Sequence, residues 1–308
     1  MDNLTHSLIG AVIAQAGLKR KTGLAMPAAI IAANLPDIDA PCALLGTVSL
    51  AMRRGITHGP IALLVLPLLL AGALIVLDRW QARRGRRPAA RLPVHGGWLI
   101  AICYLAALTH PAFDWLNSYG IRLLEPFSSQ WYYGDALFII DPWLLAILGA
   151  GIWLSLRRER AGMARWAQPA RAAVAGVLAY VALNLGISRY AASQFVAGDT
   201  ALDLVVTSPV PLAIWRRDVL WRTSYRYGSV RWSLFGPASR YGLVASTPTG
   251  MDDPRLAPRV ASSPAAQAFL FWSRMPIAVN SGDNIVLKDQ RFLAVPGRGP
   301  FTVILPPP

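Results

Sequence analysis

Charge is scarce in this sequence, and cysteine is scarcer. Only 15% of the 308 residues are charged and two are cysteine, Cys42 and Cys103, while 54% are hydrophobic. Two cysteines in apolar surroundings form neither a disulfide framework nor a metal-binding spacing, and they read as packing residues. So little charge, with a mean hydropathy of +0.40, excludes an ordinary soluble domain and calls for membrane segments. The opening stretch, MDNLTHSLIG, lacks the basic region of a cleavable signal, so the first helix is expected to stay. Internal repeats, a glycine-rich phosphate loop and a nucleophile elbow are also missing, which leaves nothing to suggest a nucleotide-binding loop or a serine nucleophile.

Acidic residues are outnumbered 16 to 30 by Lys and Arg, giving a formal net charge of +14. Such basicity could serve nucleic acid, yet +12 of it sits in three short runs. These are Lys19, Arg20 and Lys21; residues 78–93, with six Arg against Asp78; and residues 157–171, with five Arg against Glu159. Each run lies between apolar segments, where Lys and Arg mark cytoplasmic loops. The charge reports topology, and no nucleic-acid partner is expected.

A bilayer core of ~30 Å takes ~20 helical residues. Residues 59–77 and 97–117 meet that length, and residues 171–188 form a third span. Residues 142–156 are shorter and follow Asp141-Pro142, which reads as an N-cap and a first-turn proline. Residues 4–18 and 23–35 are shorter still and suit a partly embedded helical hairpin around the first basic run. Placing all three basic runs inside gives about six alternating membrane segments, provided that residues 40–52 lie as an interfacial or re-entrant helix.

This threading delivers His6, Asn34, Asp37, Asp39, His58, His110, Asp114 and Asn117 to the outer ends of their segments. The outer connections carry Asp2, Asp37, Asp39, Asp114, Glu125, Asp135 and Asp141 against Arg53, Arg54 and Arg122, so acid collects on one face of a basic protein. His110 and Asp114 stand at i and i+4, one face of a helix, if that helix tolerates Pro111. Taken singly, each His reads as a hydrogen-bonded interfacial residue, and Asp37 and Asp39 as turn formers or caps. Taken as a set, ionisable groups at a membrane face are costly unless paired or metal-bound. His6, Asp37, Asp39, His58, His110 and Asp114 are the expected metal ligands. Their mixed imidazole and carboxylate character suits zinc, one or two ions, with manganese or iron also accommodated. Asn34, Asn117, Arg53, Arg54, Arg122, Asp135 and Asp141 are expected to support this set or bind substrate, although Asp141 reads most simply as a helix cap. His95 falls beside the arginine loop, on the opposite side.

The strings THSLIG, NLPDID, RGITHGP, HPAFDWLNSYG, PFSSQWYYGD and FIIDPW, in that order, resemble the bacterial inner-membrane-associated metal-dependent hydrolases, a family also labelled LexA-binding. The likeness covers most of residues 1–156 and weakens through SPVPLAIWRRD, FLFWSRMP and VLKDQRF. It implies a membrane-embedded hydrolase with the six ligands named above, distantly related to zinc-dependent phospholipase C and P1-type nucleases. One departure stands out. Where the family pattern HRGxTHS is expected, this chain has Arg53 for the histidine and Gly59 for the serine.

After Ser188 the apolar runs shorten and Pro and Gly punctuate them. Residues 219–227 alternate as a strand, and Val230, Trp232 and Leu234 continue the pattern after Gly228, which predicts a hairpin. A helix is predicted over 265–274 and strands over 284–295 and 301–305. The expected architecture is an α-helical integral membrane bundle over 1–188 and a small α+β, β-rich extracytoplasmic domain over 189–308. The expected function is a bacterial inner-membrane, multi-pass hydrolase with its site outside. It acts on a phosphoester or other ester of an amphiphilic lipid-like substrate, through a metal-activated water with Asp37 or Asp114 handling the proton. A transporter would want polar groups at mid-membrane, and residues 61–77 and 99–108 carry no charge. The alternative is a noncatalytic scaffold or regulator with a structural metal, although a LexA contact would have only short arginine loops to use.

Overall fold

The computed structural model describes residues 1–195, 202–236, 246–293 and 299–307. The chain divides into two compact units, Met1–Ile38 with Arg54–Asn184, and Asp39–Arg53 with Leu185–Pro308.

The first unit is helical. It comprises α1 (Asn3–Gln15) and α2 (Ala25–Ala32). The chain re-enters the unit at Arg54, before α4 (Pro60–Arg83), α5 (Gly96–Trp115), α6 (Pro142–Arg160) and most of α7 (Gln168–Ser193). A short α3 (Ser49–Met52) belongs to the second unit. Asp2 caps α1 by accepting from Thr5 N at 3.0 Å. Asp141 caps α6 through Trp143 N and Leu144 N, both at 3.1 Å, with Pro142 in the first turn where its missing N–H costs nothing. Helix α2 packs on α1 and α5, α4 on α5, and α1 on α6. The core between them is built of alanines, among them Ala14, Ala28, Ala29, Ala32 and Ala106, with Leu99, Ile102 and Cys103. Small residues bring backbones together where apolar burial alone cannot drive helices to associate. Gly10 shows how close they come, since a Cβ there would stand 2.4 Å from the Ala29 carbonyl oxygen. Outward, α4 exposes Leu64, Leu68, Leu69 and Val76, an apolar face suited to lipid.

Among the described residues, four stretches are long and apolar enough to cross a membrane: Leu35–Met52, Pro60–Arg83, Gly96–Trp115 and Gln168–Ser193. Three of them correspond to expected spans. Leu35–Met52 is broken, being 3-10 over Leu35–Val48 with a kink at Gly46 and α-helical only in α3. The six expected spans are not seen by this measure among the described residues. Helices α1 and α2, at 13 and 8 residues, are too short for it, and α6 ends in Arg157, Arg158 and Arg160.

The second unit combines residues 39–53 and the end of α7 with two small antiparallel sheets. The first sheet has the order β1 (Leu204–Pro209), β2 (Arg216–Arg222), β3 (Arg226–Ser233), β4 (Thr247–Pro248). After α8 (Leu256–Ala261) and α9 (Pro264–Trp272), the second has β5 (Pro276–Ser281), β6 (Asn284–Asp289) and β7 (Thr302–Leu305). Ile187 and Ala191 of α7 pack with Val219 and Trp232, and α3 rests on α9. The expected hairpin exists, but its turn is not at Gly228. Thr223 Oγ1 accepts from Arg226 N at 3.1 Å and ends β2 at Arg222, while Gly228 sits inside β3 opposite Trp221. The strand expected over 284–295 likewise stops at Asp289, whose carboxylate accepts from Arg291 N at 2.9 Å and starts a 3-10 turn. Ala294 and Val295 lie outside the described residues.

Candidate metal centre

Three histidines converge inside the first unit, each from a different element. His6 comes from the first turns of α1, His58 from the 3-10 turn Ile56–His58 that leads into α4, and His110 from the last turns of α5. All three are fully buried. The His6 and His110 rings stack at 3.7 Å between centroids, and His58 meets His110 edge-on at 5.0 Å. Two of the rings are oriented from behind. His110 Nδ1 lies 2.6 Å from the Ala33 carbonyl oxygen, which makes it the protonated nitrogen and leaves Nε2 facing inward. His58 Nδ1 lies 3.0 Å from Thr57 Oγ1, so its Nε2 also faces inward.

Two carboxylates meet these nitrogens. His110 Nε2 is 3.5 Å from Asp114 and 3.8 Å from Asp37, and His58 Nε2 is 3.6 Å from Asp114 and 3.9 Å from Asp37. His6 Nε2 is 3.4 Å from Asp114. Helix α5 runs unbroken through Pro111, so the i, i+4 pairing of His110 and Asp114 holds. Two sets of ligand atoms result, His6–Asp37–His110 and His58–His110–Asp114, each with all atoms within 4.8 Å of one another. Both use His110. His6 Nδ1 and the Nε2 atoms of His6 and His110 are buried without a hydrogen-bond partner among the described residues.

Asp114 is also gripped by Arg54. The guanidinium spans the carboxylate, Nε to Oδ2 at 3.1 Å and one terminal nitrogen to Oδ1 at 3.1 Å. The other terminal nitrogen donates to Asn117 Oδ1 and to the Gly120 carbonyl, both at 3.2 Å, and Tyr119 offers its ring face at 4.6 Å. Arg54 takes a left-handed backbone conformation, φ 54°, to make this reach. The Met1 amino group also donates to Asp114. Nothing in the sequence pattern signals that contact. The Thr57 contact does have a signal: a threonine precedes each clustered histidine, and at Thr57-His58 it touches the ring.

The remaining expected site residues fall in several places. Asp39 is in neither ligand set. It belongs to the second unit, where it pairs with Arg53 at 3.8 Å. Asn34 donates to Ser7 Oγ at 3.0 Å and to the Ile30 carbonyl at 2.8 Å, tying the end of α2 to α1. Asn117 accepts from Arg54 and from Tyr119 N at 2.8 Å, buttressing the guanidinium. Arg122 pairs with Glu125 at 3.2 Å and lies over Trp131, and its backbone N donates to the Arg54 carbonyl at 3.0 Å. Asp135 sits in the loop before α6 at φ 49°. Besides capping α6, Asp141 accepts from the Tyr180 hydroxyl at 3.0 Å, so its carboxylate serves the α6–α7 pair.

The profile of the YdjM inner membrane protein family matches residues 1–195, which hold all of these groups. The chain belongs to the YdjM inner membrane protein family. The family description and the apolar helices together give this YdjM-family protein a bacterial inner-membrane location. Comparison with curated proteins and with solved structures yields no match. The match ends two residues past α7, so it spans the whole helical first unit and both ligand sets.

Proposed function

We propose that His6, Asp37, His58, His110 and Asp114 bind a divalent metal, zinc in first place, and that the protein is a membrane-bound metal-dependent hydrolase. The supporting observation is the meeting of three fully buried imidazoles with two carboxylates at 3.4–3.9 Å. Buried polar nitrogens without partners are costly, and a cation shared among them removes the cost. Imidazole with carboxylate is a zinc donor set, with manganese or iron as the next fits. Two ligand sets joined through His110 suit one or two ions. The arginine runs, set inside, give a multi-pass protein with the cluster and the C-terminal unit on the extracytoplasmic side.

A divalent cation in such a site supplies Lewis acidity and draws the pKa of water toward ~7. The chain supplies orientation and a proton acceptor. The Ala33 carbonyl accepts from His110 Nδ1, which raises the basicity of His110 Nε2 as a ligand, and Thr57 Oγ1 lies against His58 Nδ1 with His58 Nε2 inward. Arg54 faces both oxygens of Asp114, so Asp37 is the carboxylate assigned to take the proton from an attacking water. Arg54 therefore acts as a counter-ion within the cluster and is not assigned to substrate. The substrate class is a phosphoester or other ester on an amphiphile that reaches the membrane interface, and no serine or cysteine nucleophile is required.

The test is turnover of amphiphilic phosphodiester and carboxyl-ester substrates by purified protein, with and without chelation. Turnover lost on mild chelation and restored by zinc, with Asp37→Asn inactive while the His58–His110–Asp114 set still holds metal, is the expected result. No turnover on any ester by metal-loaded protein contradicts it. The full hold of Arg54 on Asp114 favours a second reading, a noncatalytic scaffold with a structural metal. In that case chelation takes the fold with the metal.

A further inference from the structure

At the far end of α1 from His6, the first unit carries an open groove of about 620 Å³ whose lining includes Gly17, Arg20, Arg165, Trp166, Gln168 and Arg171. Three guanidiniums line one groove, and the carboxylate of Glu159, close to Arg20, is already engaged. Glu159 accepts from Lys19 and from Gln15 Nε2 at 3.2 Å and lies 3.8 Å from Arg20. Like charges gathered in this way repel unless an anion sits among them.

The groove is shaped as well as charged. Arg171 Nε donates to the Ala16 carbonyl at 2.8 Å, which anchors the stem of the side chain and leaves its terminal nitrogens along the groove. One of these lies 3.2 Å from where a Cβ on Gly17 would be, and Gly17, at φ 132°, holds a conformation that side chains disfavour. Glycine therefore keeps the guanidinium face open. Trp166 lies under both Lys19 and Arg20, each 5.0 Å from its ring, and Met163 is exposed on the same connection. Arginines that can fork onto phosphate oxygens, next to an interfacial tryptophan and an apolar side chain, match a charged head on a greasy stem. The lysine and arginine runs assign this end to the cytoplasmic face, where basic pockets between membrane helices take anionic headgroups.

We propose that this groove is a binding site for a phosphate group, as carried by an anionic phospholipid headgroup, separate from the histidine cluster at the other end of α1. The experiment uses the full chain, delipidated in neutral detergent and titrated with phosphatidylglycerol, phosphatidylcholine and inorganic phosphate, with bound ligand counted by native mass spectrometry. Saturable phosphatidylglycerol binding with none for phosphatidylcholine is expected. The double variant Arg165→Gln/Arg171→Gln should weaken it about tenfold or more, since each lost charge-assisted contact counts heavily. Arg165→Lys/Arg171→Lys should retain an intermediate affinity, and Arg83→Gln/Arg84→Gln in the other loop should change nothing. Inorganic phosphate that binds and competes shows the anion alone to be recognised. If only the lipid binds, recognition extends to the acyl stem. Equal binding of both lipids, wild-type affinity in Arg165→Gln/Arg171→Gln, or an equal loss in Arg83→Gln/Arg84→Gln overturns the proposal.

Discussion

Arg54→Gln separates the counter-ion from the cluster it neutralises. The wild-type guanidinium places two nitrogens at 3.1 Å from the two oxygens of a fully buried carboxylate and two further contacts at 3.2 Å on Asn117 and Gly120. Removing one partner of a buried ion pair costs about 3–5 kcal/mol, because the remaining charge loses its compensation. For a unit of this size each kcal/mol moves Tm by ~2–4 °C, so the variant should melt roughly 6–20 °C lower under chelation. Zinc at 100 times its Kd adds about 2.7 kcal/mol to a protein that binds it only when folded. At one zinc concentration common to both proteins the contribution should be larger in Arg54→Gln than in wild type, because Asp114 no longer shares its oxygens with a guanidinium and the site binds more tightly. The assay is thermal unfolding of the detergent-solubilised full chain, with chelator and with excess zinc, for both proteins. A variant that melts within about 2 °C of wild type under chelation, or one in which zinc raises neither melting point, refutes the reasoning.

Other perturbations have defined outcomes. Gly59→Ser restores the residue that the family-like pattern leads one to expect, yet a Cβ at Gly59 would stand 1.9 Å from the Glu125 carbonyl oxygen. The clash is with backbone, so thermal stability should fall by about 1–3 kcal/mol, whereas Gly72→Ala, with nothing near its Cβ, should be neutral. In the C-terminal unit, burial pushes the Asp289 carboxyl up. Arg291 at 2.8 Å and Ser273 at 2.5 Å outweigh this and hold it below its ordinary value. A carboxyl depressed on folding contributes stability that is full above its unfolded pKa of ~3.9 and is lost as pH falls through its lower folded value. Tryptophan fluorescence on acid titration should therefore show the unit loosening below about pH 4. Asp289→Asn should be less stable at pH 7 and should lack that acid step.

The long apolar helices were legible because a span of lipid imposes a length and a composition, and α4, α5 and α7 follow the runs that predict them. The short elements depend on contacts distant in sequence. Residues 39–53 join α9, some 200 residues away, and nothing local in PCALLGTVSLAMR marks that destination. Alternation that continues through Thr223 and Tyr225 points to a turn at Gly228, whereas a threonine side chain and not a glycine closes the turn. At the cluster, five of the six expected ligands gather because they sit in the end turns of α1 and α5 and in the turns after α2 and before α4, helices that pack on one another. Asp39 follows its own segment into the second unit. Arg54 was visible only as a basic residue on an acid-rich face, since a counter-ion and a substrate-binding arginine share the same sequence pattern. Asp141 read correctly as a cap because Asp-Pro before an apolar run satisfies orphan N–H groups whatever the fold.

The most direct measurement is the metal content of the purified full chain, wild type and His110→Ala, after dialysis against metal-free buffer and reloading with zinc. His110 belongs to both ligand sets, so its loss should empty both. Wild type is predicted to retain one or two zinc ions per chain and His110→Ala none, with both proteins folded by circular dichroism. Wild type without bound metal, or His110→Ala with its full complement, contradicts the account.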